Sequence, residues 1–133
     1  MSTTFSLEGK NAVVTGLSTG IGRAIAEALA REGANVAGDY QKDADGAAIT
    51  QRLIEAQGRE ALIIQGSTAD EAHIDDLAER VVERWGGLDI WVNNAARIFV
   101  KPFIEMTSEE WHGLLAANLH GYMLGCRAAA RKM

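Results

Sequence analysis

Three glycines stand in one short run, Thr15-Gly16-Leu17-Ser18-Thr19-Gly20-Ile21-Gly22, directly after the apolar Ala12-Val13-Val14. Glycine turns the chain where a side chain could not. Three in such a run allow a tight turn, close approach of a pyrophosphate, and packing of a helix against a strand. A helix starting within the run would aim its free N–H groups and the positive end of its dipole at the phosphates. A plain structural turn uses the same residues, so the glycines alone leave both readings open. Two further polar features stand out: Asn93-Asn94-Ala95-Ala96 after another apolar run, and Asn118 inside a helical pattern. Asn is a mediocre helix former without a local partner. The three histidines, His73, His112 and His120, lack the i, i+4 spacing of a metal pair, and Cys126 is alone, so no metal site is expected. Surface or helix-packing roles are expected for all three.

The elements that must position these residues follow from the apolar spacing. Short runs at Ala12–Val14, Ala34–Val36, Ala61–Ile64 and Leu88–Val92 have the length of buried strands. Between them, Ile21, Ile25 and Leu29 mark one helix stopping at Gly33, and Ile49 and Leu53 a second stopping at Gly58. Ile74, Leu77, Val81 and Trp85 mark a third, which stops at Gly86 and whose capping box would be Thr68 with Glu71. A fourth should begin near Thr107, three residues before Glu110, and run through Trp111, Leu115, Leu119 and Met123. Strand and helix alternating at this interval predict an α/β fold, a Rossmann-type doubly wound parallel sheet in order 3-2-1-4. Residues 1–133 read as one dinucleotide-binding domain, truncated after its fourth helix, with later strands absent.

The spacing Thr-Gly-x-x-x-Gly-Ile-Gly, the run Asn93-Asn94-Ala95-Ala96 and Asn118-Leu119-His120-Gly121 together resemble the short-chain dehydrogenase/reductase family, including its glucose dehydrogenase-like and 3-oxoacyl-reductase-like members. The resemblance runs from Leu7 to Met133. It implies an NAD(P)-dependent oxidoreductase moving hydride between a nicotinamide cofactor and a small-molecule alcohol or carbonyl. It further implies that Gly16, Ser18, Thr19, Gly20, Ile21 and Gly22 hold the cofactor phosphates and ribose, and that Ser67 and Thr68 border the adenine. Ser67 stands where the family usually has Asp. Asn94, Ala95 and Ala96 would line the nicotinamide ribose, with Ala96 replacing the usual Gly, a change whose cost depends on the sign of φ. Asn93 reads either as a cofactor contact or as a buried amide fastening neighbouring strands. Asn118 looks like the family's active-site Asn, which interrupts its helix and holds a water linked to a catalytic lysine.

The family's Ser and Tyr-x-x-x-Lys are absent. Tyr40 is followed four places on by Ala44 and Tyr122 by Cys126. The chain by itself is therefore expected to be inactive. Cofactor choice should be made at the end of the second strand, where an acidic residue binds the ribose 2′-hydroxyl of NAD. Alignment from Gly33 puts Tyr40 there, next to Gln41 and Lys42, which could meet a 2′-phosphate. Asp39, one residue earlier, should point to the opposite face and miss the ribose. The reading leans to NADP and leaves dual use open.

Composition narrows the partners. Thirteen Lys and Arg against eighteen Asp and Glu give a net charge of −5 with no basic block, which argues against nucleic acid. No apolar run approaches a membrane span and no leader-like start is seen, so a cytoplasmic protein is expected. The last helix, with Gly121 and Gly125 four apart, would join a homo-oligomer, or else pack closely within the same subunit. The rival to an oxidoreductase is a non-catalytic nucleotide-binding or assembly module.

Overall fold

The computed structural model describes residues 5–133. Four parallel strands, β1 (Asn11–Val14), β2 (Asn35–Tyr40), β3 (Ala61–Gln65) and β4 (Ile90–Val92), form one sheet in the order β3-β2-β1-β4. The helices are α1 (Gly20–Arg31), α2 (Ala44–Ala56), α3 (Glu71–Trp85), α4 (Ser108–Leu115) and α5 (Gly121–Lys132), the last two joined by a π-helical turn at Ala116–His120. The expected α/β class and strand order are thus observed. β2 runs four residues beyond the expected end at Val36, because Gly38, Asp39 and Tyr40 stay in register with Ile63, Ile64 and Gln65 of β3.

Register explains the two layers. Leu62, Ala37, Val13 and Trp91 line up across the sheet and face Leu77 and Val81 of α3 and Ala129 of α5. The next row, Ile63, Gly38, Val14 and Val92, faces the other way, where Val14, Val36, Ala26, Ala30 and Ile54 form the core against α1 and α2. Successive strand residues point to opposite faces, so strands buried on both sides read as continuous apolar runs.

Two helices turn differently from their apolar spacing. In α1 the buried positions are Gly22, Ala26 and Ala30, and Ile21 is exposed. In α2, Ala47, Thr50 and Ile54 are buried while Ile49 is exposed. Small residues bring α1 close to the sheet and leave the larger ones on its flanks. The start of α3 also differs. Ser67 Oγ accepts from the N–H of Ala69 and the Ser67 carbonyl accepts from Asp70, so the chain is still turning at Thr68. Asp70, not Thr68, caps the helix, accepting from the N–H of Ala72 at 3.0 Å.

The capping box at Thr107 is present. Its Oγ1 accepts from the N–H of Glu110 at 3.1 Å, and Glu110 Oε2 accepts from the N–H of Thr107 at 3.0 Å. Lys101 Nζ reaches both oxygens of the same carboxylate, at 2.8 and 2.9 Å. The Lys101 hydrogen bond, then that of the Thr107 backbone, hold the Glu110 carboxyl below its ordinary value of 4.5. A lowered carboxyl favours the folded state fully above the unfolded value and loses that contribution as pH falls through the folded one. Thr107→Ala should lower unfolding free energy by about 1 kcal/mol in urea melts. The contribution of Glu110, read as the difference between wild type and Glu110→Gln, should shrink below about pH 4.5.

Candidate functional site

β1 ends at Val14 and α1 starts at Gly20, so the residues between must reverse direction at the carboxyl edge of the sheet. Gly16 and Gly20 have φ of 66° and 56°, a region that side chains rarely tolerate. Their surroundings differ. A Cβ on Gly16 would lie 2.9 Å from Ala95 Cα, whereas nothing lies within 4 Å of a Cβ on Gly20. Gly22 is helical, and its Cβ would meet the Gly16 carbonyl oxygen at 2.3 Å and Asn94 Nδ2 at 2.5 Å. One glycine turns the chain, one leaves open space above the turn and one seats the helix against it.

Side chains from four elements hold the turn. Leu17 is fully buried and fills the space over Gly38, where a Cβ would lie 2.3 Å from its Cδ2. The Gly16 N–H donates to Asp39 Oδ1 at 2.7 Å, and the Leu17 N–H to the Asp39 carbonyl at 3.1 Å. Thr50 Oγ1 of α2 donates to the Leu17 carbonyl at 2.8 Å. The Arg23 guanidinium donates to the carbonyls of Ser18 and Gly46, and its Nε to Thr50 Oγ1. From beyond β4, Asn94 Nδ2 donates to the carbonyls of Thr15 and Gly16 at 3.0 and 3.1 Å. Thr15 Oγ1 in turn accepts from the N–H groups of Asn94 and Ala95, both at 3.0 Å.

Above this floor the first turn of α1 is open. Thr19, Gly20 and Ile21 are exposed and Ser18 half-buried, the Thr19 side chain caps nothing, and the first turn holds no acidic residue. Uncapped N–H groups with no neighbouring carboxylate at a helix start suit an anion. Around the same edge lie Tyr40, half-buried, and Gln41, exposed, at the end of β2, then Ser67 and Thr68, both half-buried, after β3. Asn94, Ala95 and Ala96 follow β4. No non-glycine residue among those described has positive φ, so the methyl of Ala96 costs little.

Several side chains do other than their positions in the sequence suggest. Asp39 does not simply point away: only 1% exposed, it binds the glycine turn through Oδ1 and the imidazole of His73 through Oδ2. His73, expected at a surface or between helices, is half-buried, with its side chain 8% exposed against Asp39 beside the site. No local signal could have found this pair, whose members are 34 residues apart. Asn93 joins β4 to α5 rather than to a neighbouring strand, accepting from Trp91 Nε1 and donating to the Tyr122 carbonyl and Cys126 Sγ. The amide that fastens adjacent strand ends is Asn94. Asn118 lies in the π-helical turn, so the helix is interrupted there as expected, and its side chain accepts from the Arg97 N–H at 2.7 Å and donates to the Arg97 carbonyl at 2.8 Å. This ties the segment after β4 to the last helix.

A family model described as short chain dehydrogenase matches residues 10–133. The 3beta-hydroxysteroid dehydrogenase 1 of Eggerthella lenta is 40% identical over 123 residues, 92% of this chain and 47% of that protein. Glucose 1-dehydrogenase 2 of Bacillus subtilis is 38% identical over 128 residues, 96% of this chain and 50% of that protein. Among solved structures, a short chain dehydrogenase from Burkholderia cenocepacia in complex with NADP superposes with a TM-score of 0.92 at 42% identity, over 96% of this chain and 52% of that one. The chain spans about half the length of the curated relatives it matches.

The buried Thr15 hydroxyl serves the N–H groups of Asn94 and Ala95 at once. Thr15→Val keeps the shape and removes the acceptor, and should lower the unfolding free energy by about 1–3 kcal/mol, measured by urea melts.

Proposed function

The chain belongs to the short-chain dehydrogenase family, and on that premise we propose that it binds a nicotinamide dinucleotide along the carboxyl ends of its strands, as the cofactor-holding part of an NAD(P)-dependent oxidoreductase for small alcohols or carbonyls. The observation that carries this reading is the uncapped start of α1, with open space over Gly20 and a turn beneath it held by Asp39, Thr50, Arg23 and Asn94. A pyrophosphate fits there. The N–H groups of Gly20, Ile21 and Gly22, with the Ser18 and Thr19 side chains, would face it, and the fixed turn means that little order is lost on binding. Tyr40 and Gln41 would meet the adenosine ribose and Ser67 and Thr68 the adenine. Asn94, Ala95 and Ala96 would lie along the nicotinamide ribose, and Asn118 would order a water near the reacting carbon. When bound, the dinucleotide supplies the hydride acceptor or donor at its nicotinamide ring.

NADP is the favoured form. The acidic residue at the end of β2, Asp39, has its two oxygens on Gly16 and His73, so it does not present a carboxylate to the ribose 2′-hydroxyl. The side chains next in line are the neutral Tyr40 and Gln41 and the cationic Lys42, which suit a 2′-phosphate. Exposed Trp111 of α4, Leu119 of the π-helical turn and Met123 of α5 support self-association through the last helix.

Calorimetric titration tests the binding. NADPH should bind more tightly than NADH, and Gly20→Val, which fills the open space and strains a backbone at φ 56°, should abolish both. Absence of heat at millimolar NADPH with folded protein would overturn the reading. Turnover is a separate matter: Tyr40 and Tyr122, the two tyrosines of the sequence, are followed four places on by Ala44 and Cys126, so the family's Tyr-x-x-x-Lys pattern is not among these 133 residues. Such positioned acid–base groups contribute about 10²–10⁴-fold. The 133-residue chain of verified mass should therefore leave NADPH unoxidised with a panel of carbonyl substrates, and steady oxidation would refute its inactivity.

A further inference from the structure

We propose that His73 is a positioning residue of the glycine turn, acting through Asp39, and that it sets the turn and the adenine-side segment in one arrangement. The affinity arm of this inference rests on the dinucleotide reading above; the geometry of the turn does not.

His73 lies in the first turn of α3, with Nε2 2.9 Å from Asp39 Oδ2; the two side chains are 8% and 2% exposed. Asp39 sits in a central strand and touches the turn twice, through Oδ1 to the Gly16 N–H and through its carbonyl to the Leu17 N–H. A carboxylate this deep needs a donor on each oxygen, because an unpartnered buried charge is costly. The backbone supplies one and His73 the other. Without the imidazole, Oδ2 would lose its donor, and a rotation of the carboxyl to recover one would release the Gly16 N–H.

A second contact reaches the other side of the site. A Cβ on Gly66 would lie 2.0 Å from His73 Nδ1, so the ring rests directly against the backbone that leads into Ser67 and Thr68. The Gly66 N–H is itself bound to the Tyr40 carbonyl at 2.9 Å. One imidazole thus abuts the segment after β3 and, through one carboxylate, the turn after β1. The donor at Nε2 is the part that matters to the turn, and the ring's bulk is the part that matters to Gly66.

The test separates these parts in the 133-residue chain. His73→Phe keeps a ring against Gly66 and removes the donor. His73→Gln places an amide where Nε2 stands, whereas the shorter side chain of His73→Asn cannot reach it. By NMR, amide exchange at Gly16 in the ligand-free protein should be at least about tenfold faster in His73→Phe and His73→Asn than in the parent, and close to the parent in His73→Gln. NADPH affinity by calorimetry should fall about tenfold in the first two and return to within about threefold in the third. Should His73→Phe fail to fold, His73→Gln against His73→Asn decides alone. Equal Gly16 exchange in all variants, or His73→Gln behaving as His73→Asn does, would overturn the proposal. If the parent binds no NADPH, the dinucleotide reading fails and Gly16 exchange still judges this one.

Discussion

The backbone of the turn after β1 carries polar groups that neither its strand nor its helix can satisfy, and the surrounding structure is arranged to satisfy them. Asp39 takes the N–H groups of Gly16 and Leu17, Thr50 and Arg23 take the carbonyls of Leu17 and Ser18, and Asn94 takes those of Thr15 and Gly16. Leaving such groups unpaired in a protein interior would cost about 1–3 kcal/mol each. The helix behind the turn has the opposite character. Its start has no side-chain cap, and Thr19, Gly20 and Ile21 there are exposed. A rigid floor and an unsatisfied rim lie next to each other, which is the contrast an anion site requires.

Small residues make the floor possible. Gly22 lets α1 approach until its backbone nearly touches the Gly16 carbonyl and the Asn94 amide, and Gly38 leaves room for Leu17 to enter the core from the turn itself. The buried face of α1 is accordingly Gly22, Ala26 and Ala30. Close packing of this kind tolerates little change in volume, so the same contacts that stabilise the sheet also fix the turn.

The C-terminal helices are governed by different forces. α5 buries Leu124, Gly125, Ala128 and Ala129, with Leu124 and Ala128 against Ile74 and Ala78 of α3, while Trp111, Leu119 and Met123 remain outside. The preceding segment exposes Ile98, Val100, Phe103 and Ile104 as well. The π-helical turn at Ala116–His120 places Asn118 where both hydrogen-bonding groups of its side chain meet the backbone of Arg97. Such π-bulges inside α-helices are frequent at functional sites.

Local rules wrote much of this into the sequence. The glycine turn, the stops at Gly33, Gly58 and Gly86 and the cap at Thr107 depend on residues a few positions apart, and each is observed; the strand order, also observed, follows from the alternation of strand and helix along the chain. The capping box expected at Thr68 failed because Ser67 already turned the chain, leaving Asp70 to start the helix. Ile21 and Ile49 were misplaced because period alone does not say which stripe of a helix meets the sheet. In α1 that is decided by how closely the backbones approach, and so by Gly22. The pairing of His73 with Asp39, the hold of Asn94 on the turn and the joining of Asn118 to Arg97 span 34, 79 and 21 residues. A carboxylate 34 residues from its imidazole leaves no periodic trace, and only the packing of α3 against β2 brings the two together.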